Sequence, residues 1–237
     1  DSTTTANAGT YAITPSAAVA TSGTDLDNYS ITYATSDLTV GKRALTAILT
    51  GSTTKTYDGI TAATLTSSNY SLSNLVTGES ITVSETAATY DNKNAGTSKT
   101  VTANLASDEF TAASGTSLSN YTLPTGNVSG AIGEVTKLSL TVTAANDAKF
   151  VTQSDTANFA GVLYSGFLGG EDASSLISAG ELTVGTIQRS NNSVEIAGTY
   201  SDVLVPTSYT ATNYDITVVN GDFTIIPAEQ LFVEVSP

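Results

Sequence analysis

Carboxylates are the side chains in this sequence with the clearest capacity for ligand chemistry. The chain has 22 Asp and Glu residues against 8 Lys and Arg residues. Carboxylate oxygens suit Ca²⁺, but the ion needs six to eight oxygens, so no acidic pair suffices alone. Residues 138–237 carry 11 acids against 2 bases. A calcium site is therefore favoured there, with Glu171, Asp172 and Asp222 as ligands. The simpler interpretation, solvated carboxylates in turns, stays open.

Catalytic groups are scarce. The sequence has no His and no Cys, which removes the commonest general base, thiolate nucleophiles and Cys-based metal sites. Ser residues therefore lack a His partner, and no Gly-x-Ser-x-Gly motif occurs. Paired carboxylates could act on glycosides, but with Trp absent nothing indicates an aromatic-lined cleft. We predict that the chain is not an enzyme, has no catalytic residues and holds no cofactor apart from the calcium considered above.

Lysines offer one further kind of chemistry, a covalent crosslink to an Asn or Asp side chain. Such a bond needs the Lys, its partner and a second acid to be buried together. The available lysines lie in polar stretches, so we expect no crosslink at Lys55, Lys93, Lys99 or Lys149.

Net charge limits the possible partners. At −14 the chain is poorly suited to nucleic acid, whose affinity comes mainly from Lys and Arg at phosphates, or to anionic lipid. No apolar run approaches the ~20 residues that span a bilayer, so we predict no membrane insertion. The first ten residues contain no signal-peptide core, and we expect any export signal to lie outside this sequence.

The composition predicts strands. Ser and Thr supply 71 of the 237 residues, and β-branched Thr favours a half-exposed, pleated surface. Alternating segments such as 138–143 and 213–218 have the period of two that is typical of strands. Asn220-Gly221 lies between two such segments and predicts a hairpin, while 171–179 predicts a short helix. A further strand-like segment occupies 231–235.

The sequence repeats with a period of about 93 residues, which is a typical signature of tandem modules. Asn-Tyr recurs at Asn28-Tyr29, Asn120-Tyr121 and Asn213-Tyr214, at spacings of 92 and 93 residues. The segment 74–80 resembles 166–172 at an offset of 92. We interpret Asn as closing a turn, and Tyr as anchoring the last hairpin in the core with its hydroxyl at the surface.

This period defines the predicted domains. Residues 1–43 form the C-terminal part of one module, 44–137 and 138–229 are complete modules, and 230–237 begin the following segment or tail. The joints are short, which is typical of tight connections. We therefore predict an all-β chain of small antiparallel modules, sandwich-like or β-grasp-like, arranged as an elongated rod.

The segment Tyr57-Asp58-Gly59 has two interpretations. It could be a recognition loop, or a turn in which Gly59 takes a positive φ and Asp58 bonds nearby backbone amides. The stretch KTYDGITAATLTSSNYSLSNLVTGESITV, with ATYDNKNAGTSKTVTA and SNYTLPTGNVSGAI after it, resembles a YDG-type module. Residues 138–229 resemble the related MBG module, except that Phe150-Val151-Thr152 stands where a Tyr-Gly pair is usual.

This resemblance implies a function. Such modules occur in tandem in large secreted bacterial adhesins, many of them filamentous-haemagglutinin-like and exported by two-partner secretion. The resemblance implies an extracellular stalk segment at the cell surface, with neighbouring modules of the same polypeptide as its partners, that projects a distal adhesive region for attachment or biofilm. It implies no catalytic or ligand-binding residue. The alternative is a module that binds surface glycans or host proteins directly, for which Phe159, Tyr164 and Phe167 should be exposed on one face.

Overall fold

The computed structural model of the chain describes residues 6–228, and the strand-like segment at 231–235 lies outside that range. The first half contains β1 (Gly9–Ile13), β2 (Ser36–Val40), β3 (Arg43–Ala44), β4 (Thr46–Leu49), β5 (Thr53–Thr56), β6 (Ala62–Thr64), β7 (Tyr70–Ser73), β8 (Ile81–Val83), β9 (Ala87–Tyr90), β10 (Gly96–Leu105), β11 (Phe110–Ala112) and β12 (Tyr121–Thr122). The second half contains β13 (Gly126–Thr136), β14 (Leu138–Ala144), β15 (Asp147–Phe150), β16 (Val162–Ser165), α1 (Ala173–Ser178), β17 (Leu182–Thr183), β18 (Thr186–Arg189), β19 (Gly198–Thr207), β20 (Thr210–Ala211), β21 (Tyr214–Val219) and β22 (Gly221–Ile226).

The predicted all-β class is confirmed. In β14 the burial alternates along the strand, so that Leu140, Val142 and Ala144 point into the core between half-exposed Thr side chains. The short helix predicted at 171–179 is present as α1, and Asp172 caps its N-terminus. Among the described residues, no helix is long and apolar enough to cross a membrane.

The chain divides into two compact units. The first comprises Asp1–Thr53, Ala62–Thr89 and Thr100–Ile132. Within it β1 pairs with β2, β4 with β7, β6 with β9 and β8 with β11, all antiparallel. One short pair, β3 with β12, is parallel. The core is built from buried residues in or next to the strands of this unit, among them Leu45, Leu65, Val83, Val101, Leu105 and Phe110.

The second unit comprises Thr54–Thr61, Tyr90–Lys99 and Gly133–Pro237. β14 lies between β16, which is antiparallel to it, and β21, which is parallel. A second sheet has the order β15-β22-β19-β18, and its β15–β22 pair is also parallel. Buried Ala144, Ile187, Leu204, Phe223 and Ile225 pack together as its main core cluster. The three parallel pairs were not predicted, because sequence alternation does not reveal strand direction.

The predicted hairpin at Asn220-Gly221 is wrong. β21 pairs with β14, whereas β22 pairs with β15 and β19, so the chain passes from one sheet to the other at this point. Gly221 is required for close packing, because a Cβ atom there would lie 2.6 Å from the Ala144 carbonyl oxygen. Asn220 donates its side-chain amide to the carbonyl of Asp202 on the neighbouring strand.

Candidate functional site

Glu171 is the centre of a partly buried polar cluster in the second unit. Its carboxylate accepts hydrogen bonds from two phenols, from Tyr57 at 2.7 Å and from Tyr214. Both tyrosines are 2% exposed, and their rings meet edge to face at 5.8 Å. Lys93 adds a cation 3.9 Å from the carboxylate. Charge-assisted hydrogen bonds are stronger than neutral ones, so this group, the Glu171 cluster (Tyr57, Glu171 and Tyr214), holds together chain segments that are distant in sequence.

Backbone pairing places the members of the Glu171 cluster. Tyr214 begins β21 and lies in register with Leu138 at the start of β14. Tyr57 follows β5, and its N–H donates to the carbonyl of Thr136 at the end of β13. Glu171 lies just before α1, in a loop whose Leu168 N–H donates to the Tyr214 hydroxyl oxygen. Each phenol is therefore fixed by its own strand and needs little ordering to meet the carboxylate.

Burial determines the protonation state of the two phenols. Loss of solvent, together with the hydrogen bond to Glu171, raises the pKa of Tyr214 to about 12. The same causes raise the pKa of Tyr57 still further. Both hydroxyls therefore remain protonated at neutral pH and can donate hydrogen bonds, as a structural link requires. A general base would instead have to be deprotonated in order to accept a proton.

Asn213, next to Tyr214, extends the Glu171 cluster. Its side chain is 1% exposed, and its Oδ1 accepts the N–H of Ala95 at 2.9 Å. Its Nδ2 donates to Asn94 Oδ1 at 3.2 Å. Asn213-Tyr214 thus contacts two separate parts of the preceding repeat, the Asn94-Ala95 loop and Tyr57.

The first unit contains the same arrangement. Tyr121 donates its hydroxyl to Glu79, and the N–H of Val76 donates to the same hydroxyl oxygen at 3.0 Å. Asn120 Oδ1 accepts the N–H of Ala8 at 2.8 Å, while its Nδ2 donates to Asn7 at 3.0 Å. These contacts match those of Tyr214 with Glu171 and Leu168, and those of Asn213 with Ala95 and Asn94. We call Glu79, Tyr121 and Asn120 the Glu79 cluster.

The sequence predicted only part of this site. Tyr121 and Tyr214 are anchored as expected, but their hydroxyls are not at the surface, because each donates to a glutamate. Tyr29, in the first Asn-Tyr copy, is 64% exposed and belongs to neither cluster. The matching tetrapeptides Asn-Ala-Gly-Thr at 7–10 and 94–97 were the signal that could have revealed the loop partners.

A 3-10 turn ends at the Asn in two of the three Asn-Tyr copies, but not at Asn213. Asn28 and Asn120 each end a 3-10 helix, at Leu26–Asn28 and Leu118–Asn120, and the following Tyr N–H closes the turn. Asn69-Tyr70 is a further copy, off the period, that sequence analysis passed over. Its Asn69 amide is buried and donates to the Thr50 carbonyl.

The Tyr57-Asp58-Gly59 segment is a turn of the predicted kind. Gly59 has φ +78°, and Asp58 accepts the N–H of Ile60 at 3.2 Å. Asp58 also pairs with Lys55 at 2.7 Å. Burial alone would raise the pKa of Asp58, but the Lys55 and Ile60 hydrogen bonds outweigh it and lower that pKa. A Cβ at Gly59 would lie 2.8 Å from Leu168 Cδ2, so the turn packs beside the Glu171 loop.

The three calcium candidates have other roles. Glu171 accepts from two tyrosines, Asp172 accepts the N–H of Ser175, and Asp222 accepts the N–H of Asp202. The Asp202 contact supports an irregularity of β19 between Tyr200 and Leu204. Within 6–228, no three acidic side chains are grouped so as to hold a metal ion.

A second buried polar group was missed by sequence reasoning. Lys149 Nζ lies 2.7 Å from Asp155 and 2.6 Å from Glu195, and the guanidinium of Arg189 contacts both of these carboxylates. Arg189 also lies over the ring of Phe223. Lys149, which was expected in polar surroundings, is buried and only 7% exposed.

This group, the Arg189 network (Lys149, Asp155, Arg189 and Glu195), is arranged for ion pairing. Burial opposes the charges of Lys149 and Asp155, but their hydrogen bonds outweigh it. The pKa of Lys149 is raised and the pKa of Asp155 is lowered. Amide formation would need a neutral amine and a protonated acid, the opposite of the state that Arg189 favours.

Comparison with known families agrees with the repeat. Residues 41–130 match a family described as the YDG domain, and residues 140–224 match one described as the MBG domain (YGX type). Neither a curated protein nor a solved structure matches the chain. The chain therefore carries a YDG domain followed by an MBG domain of the YGX type.

Proposed function

We propose that this chain is a non-catalytic stalk segment of a secreted bacterial surface adhesin, projecting a distal adhesive region for attachment or biofilm. The YDG and MBG domains support the coarser statement that it consists of repeat modules of the kind found in surface proteins. The repeated Glu79 and Glu171 clusters support the stalk role.

The observation that supports the stalk role is that one set of contacts occurs twice, at the spacing of the sequence repeat. In the Glu171 cluster, Tyr57 comes from the YDG domain, and Glu171 and Tyr214 come from the MBG domain. A ligand site needs only one copy and an open face. A link between successive repeats needs a copy at every joint, which is how repeat proteins gain stability from neighbouring units.

The surface gives less support to the alternative, direct binding of glycans or host proteins. Phe159, Tyr164 and Phe167, the aromatic residues that would have indicated a binding face, are all half-buried. Phe159 packs edge to face on Phe223 at 5.4 Å, and Tyr164 and Phe167 pack on each other at 5.5 Å. Their rings are engaged within the second unit.

Force measurement on the full chain, tethered by its ends, tests the stalk role. Tyr214→Phe keeps the ring but removes the donor to Glu171, and we expect it to lower the unfolding force. Tyr200→Phe is the matched control, because the Tyr200 hydroxyl donates to the Ile196 carbonyl in an exposed contact. Equal forces for the wild type and both variants would contradict the proposal. Specific glycan binding that survives Tyr214→Phe would favour the alternative.

A further inference from the structure

The Glu79 cluster borders a cavity. The cavity has a volume of about 280 Å³ and is lined by Val40, Gly41, Arg43, Glu79 and Tyr121, together with the Asn7-Ala8 loop. In the second unit, the ring of Tyr57 packs against Tyr214, and its hydroxyl reaches the second oxygen of Glu171. A cavity of about 150 Å³ already holds benzene, so this one can hold a phenol.

Strand register identifies equivalent positions around the cavity. Arg43 lies opposite Tyr121 in one parallel pair, and Leu138 lies opposite Tyr214 in the other. Gly41 lies two residues before Arg43, and Thr136 lies two residues before Leu138, so Gly41 and Thr136 are equivalent positions. The carbonyl of Thr136 receives the N–H of Tyr57, and Gly41 lines the cavity.

The strand that ends next to Gly41, β2, also has an open edge. In its own sheet β13 lies between β10 and β5, and β5 leads directly into Tyr57. Its counterpart β2 pairs with β1 alone within the described part of the chain. Side chains on this two-stranded sheet are exposed, including Ile13 at 50% and Leu38 at 51%. An unpaired edge with apolar side chains is a template for an added strand.

We propose that the cavity of the Glu79 cluster, with the open edge of β2, is a docking site for the Tyr-Asp-Gly strand of another module of this kind. The strand pairs with β2, the tyrosine N–H reaches the carbonyl of Gly41, and its phenol enters the cavity and donates to Glu79. This inference rests on the proposed function only in naming a neighbouring module as the partner.

A peptide titration tests the docking directly. An acetylated and amidated peptide with the sequence of residues 53–60, TTKTYDGI, is added to the full chain and followed by NMR. We expect saturable shifts at the amides of Val40, Gly41 and Tyr121. The same peptide with Phe for Tyr should bind about tenfold more weakly or worse, since it lacks the donor to a carboxylate. Equal affinity for the two peptides, or shifts confined to other surfaces, would overturn the proposal.

A covalent version decides the matter if the free peptide binds too weakly to observe. A copy of residues 44–93 is placed directly before Asn7, because Asn94–Thr97 and Asn7–Thr10 have the same sequence. Changing the added tyrosine to Phe should lower Tm when Glu79 is present and leave Tm unchanged in Glu79→Gln. The same loss in both backgrounds, or no loss in either, would overturn the docking. The force measurement on the unextended chain would be unaffected, so failure of the docking can be told from failure of the stalk proposal.

Discussion

Tyr57 and Glu171 lie 114 residues apart in the sequence, yet the phenol oxygen of the first is 2.7 Å from a carboxylate oxygen of the second. Tyr214 donates to the other oxygen of the same carboxylate. Glu171 thus unites a turn of the YDG domain with the first residue of an MBG strand. The stability of this part of the molecule should depend on donors and acceptor together.

Alkaline pH should destabilise the chain through these phenols. The pKa of Tyr214 is about 12 in the folded state against about 10 in the unfolded state, and that of Tyr57 is also raised. Their contribution is fully present below pH 10 and is lost as pH rises through the folded values. Between pH 10 and 12, unfolding free energy should fall by up to about 1.4 kcal/mol per pH unit for each tyrosine. Urea unfolding at several pH values measures this slope, which should be smaller in Tyr214→Phe. Equal slopes would contradict the assignment.

Substitution of Gly59 should destabilise more than the backbone conformation alone explains. Gly59 has φ +78° and Gly78 has φ +88°, so a side chain strains the backbone at either position. A Cβ meets Leu168 at 2.8 Å only at Gly59, whereas that of Gly78 meets nothing within 4 Å. Gly59→Ala should cost about 1–3 kcal/mol, and Gly78→Ala about 1 kcal/mol. Thermal unfolding of the two variants compares them, and equal losses would show that Leu168 moves aside freely.

Removal of the buried guanidinium should be far more costly than removal of an exposed ammonium. Arg189→Met leaves Asp155 and Glu195 with fewer partners, and we expect a loss of about 2–3 kcal/mol, because these carboxylates keep some contact with water. Lys93→Met removes a 41% exposed cation 3.9 Å from Glu171 and should cost under about 0.5 kcal/mol. Urea unfolding midpoints test the order, and similar losses would contradict the role given to the Arg189 network.

The all-β class and the repeat could be predicted from the sequence because local residue patterns indicate both. Alternation marked β14, and the spacing of Asn120-Tyr121 and Asn213-Tyr214 marked equivalent positions. The segments that contain Glu79 and Glu171 were also matched by offset. Their bonds to tyrosine could not be predicted, because the partners lie 42, 43 and 114 residues away.

The incorrect predictions have the same cause, which is that contacts between residues distant in sequence are not visible in local patterns. Asn220-Gly221 is a strong local hairpin signal, but pairing with β14 on one side and β19 on the other decided the topology. Lys149 was expected in polar surroundings because its partner Glu195 is distant in the sequence and meets it only in the folded chain. Tertiary contacts determined these features, and a single sequence does not record them.

Solution scattering tests the predicted elongated arrangement of the modules. A single compact domain of 237 residues would have a radius of gyration near 18 Å. Short joints between modules and a charge of −14 lead us to expect a clearly larger value. The measurement should be repeated at high salt to separate joint stiffness from charge repulsion. A value near 18 Å would refute the elongated stalk.

The most direct test of the central claim is a double-mutant cycle between Tyr57 and Glu171. Tyr57→Phe and Glu171→Gln, alone and combined in the full chain, are compared by urea unfolding, with Tyr200→Phe as the matched control for loss of a phenol. We expect Tyr57→Phe to cost about 1–3 kcal/mol and the pair to couple by about 1 kcal/mol or more, since a charge-assisted bond is lost in a partly buried site. Additive losses, with a coupling energy near zero, would show that the contact does not link the YDG domain to the MBG domain and would contradict the account.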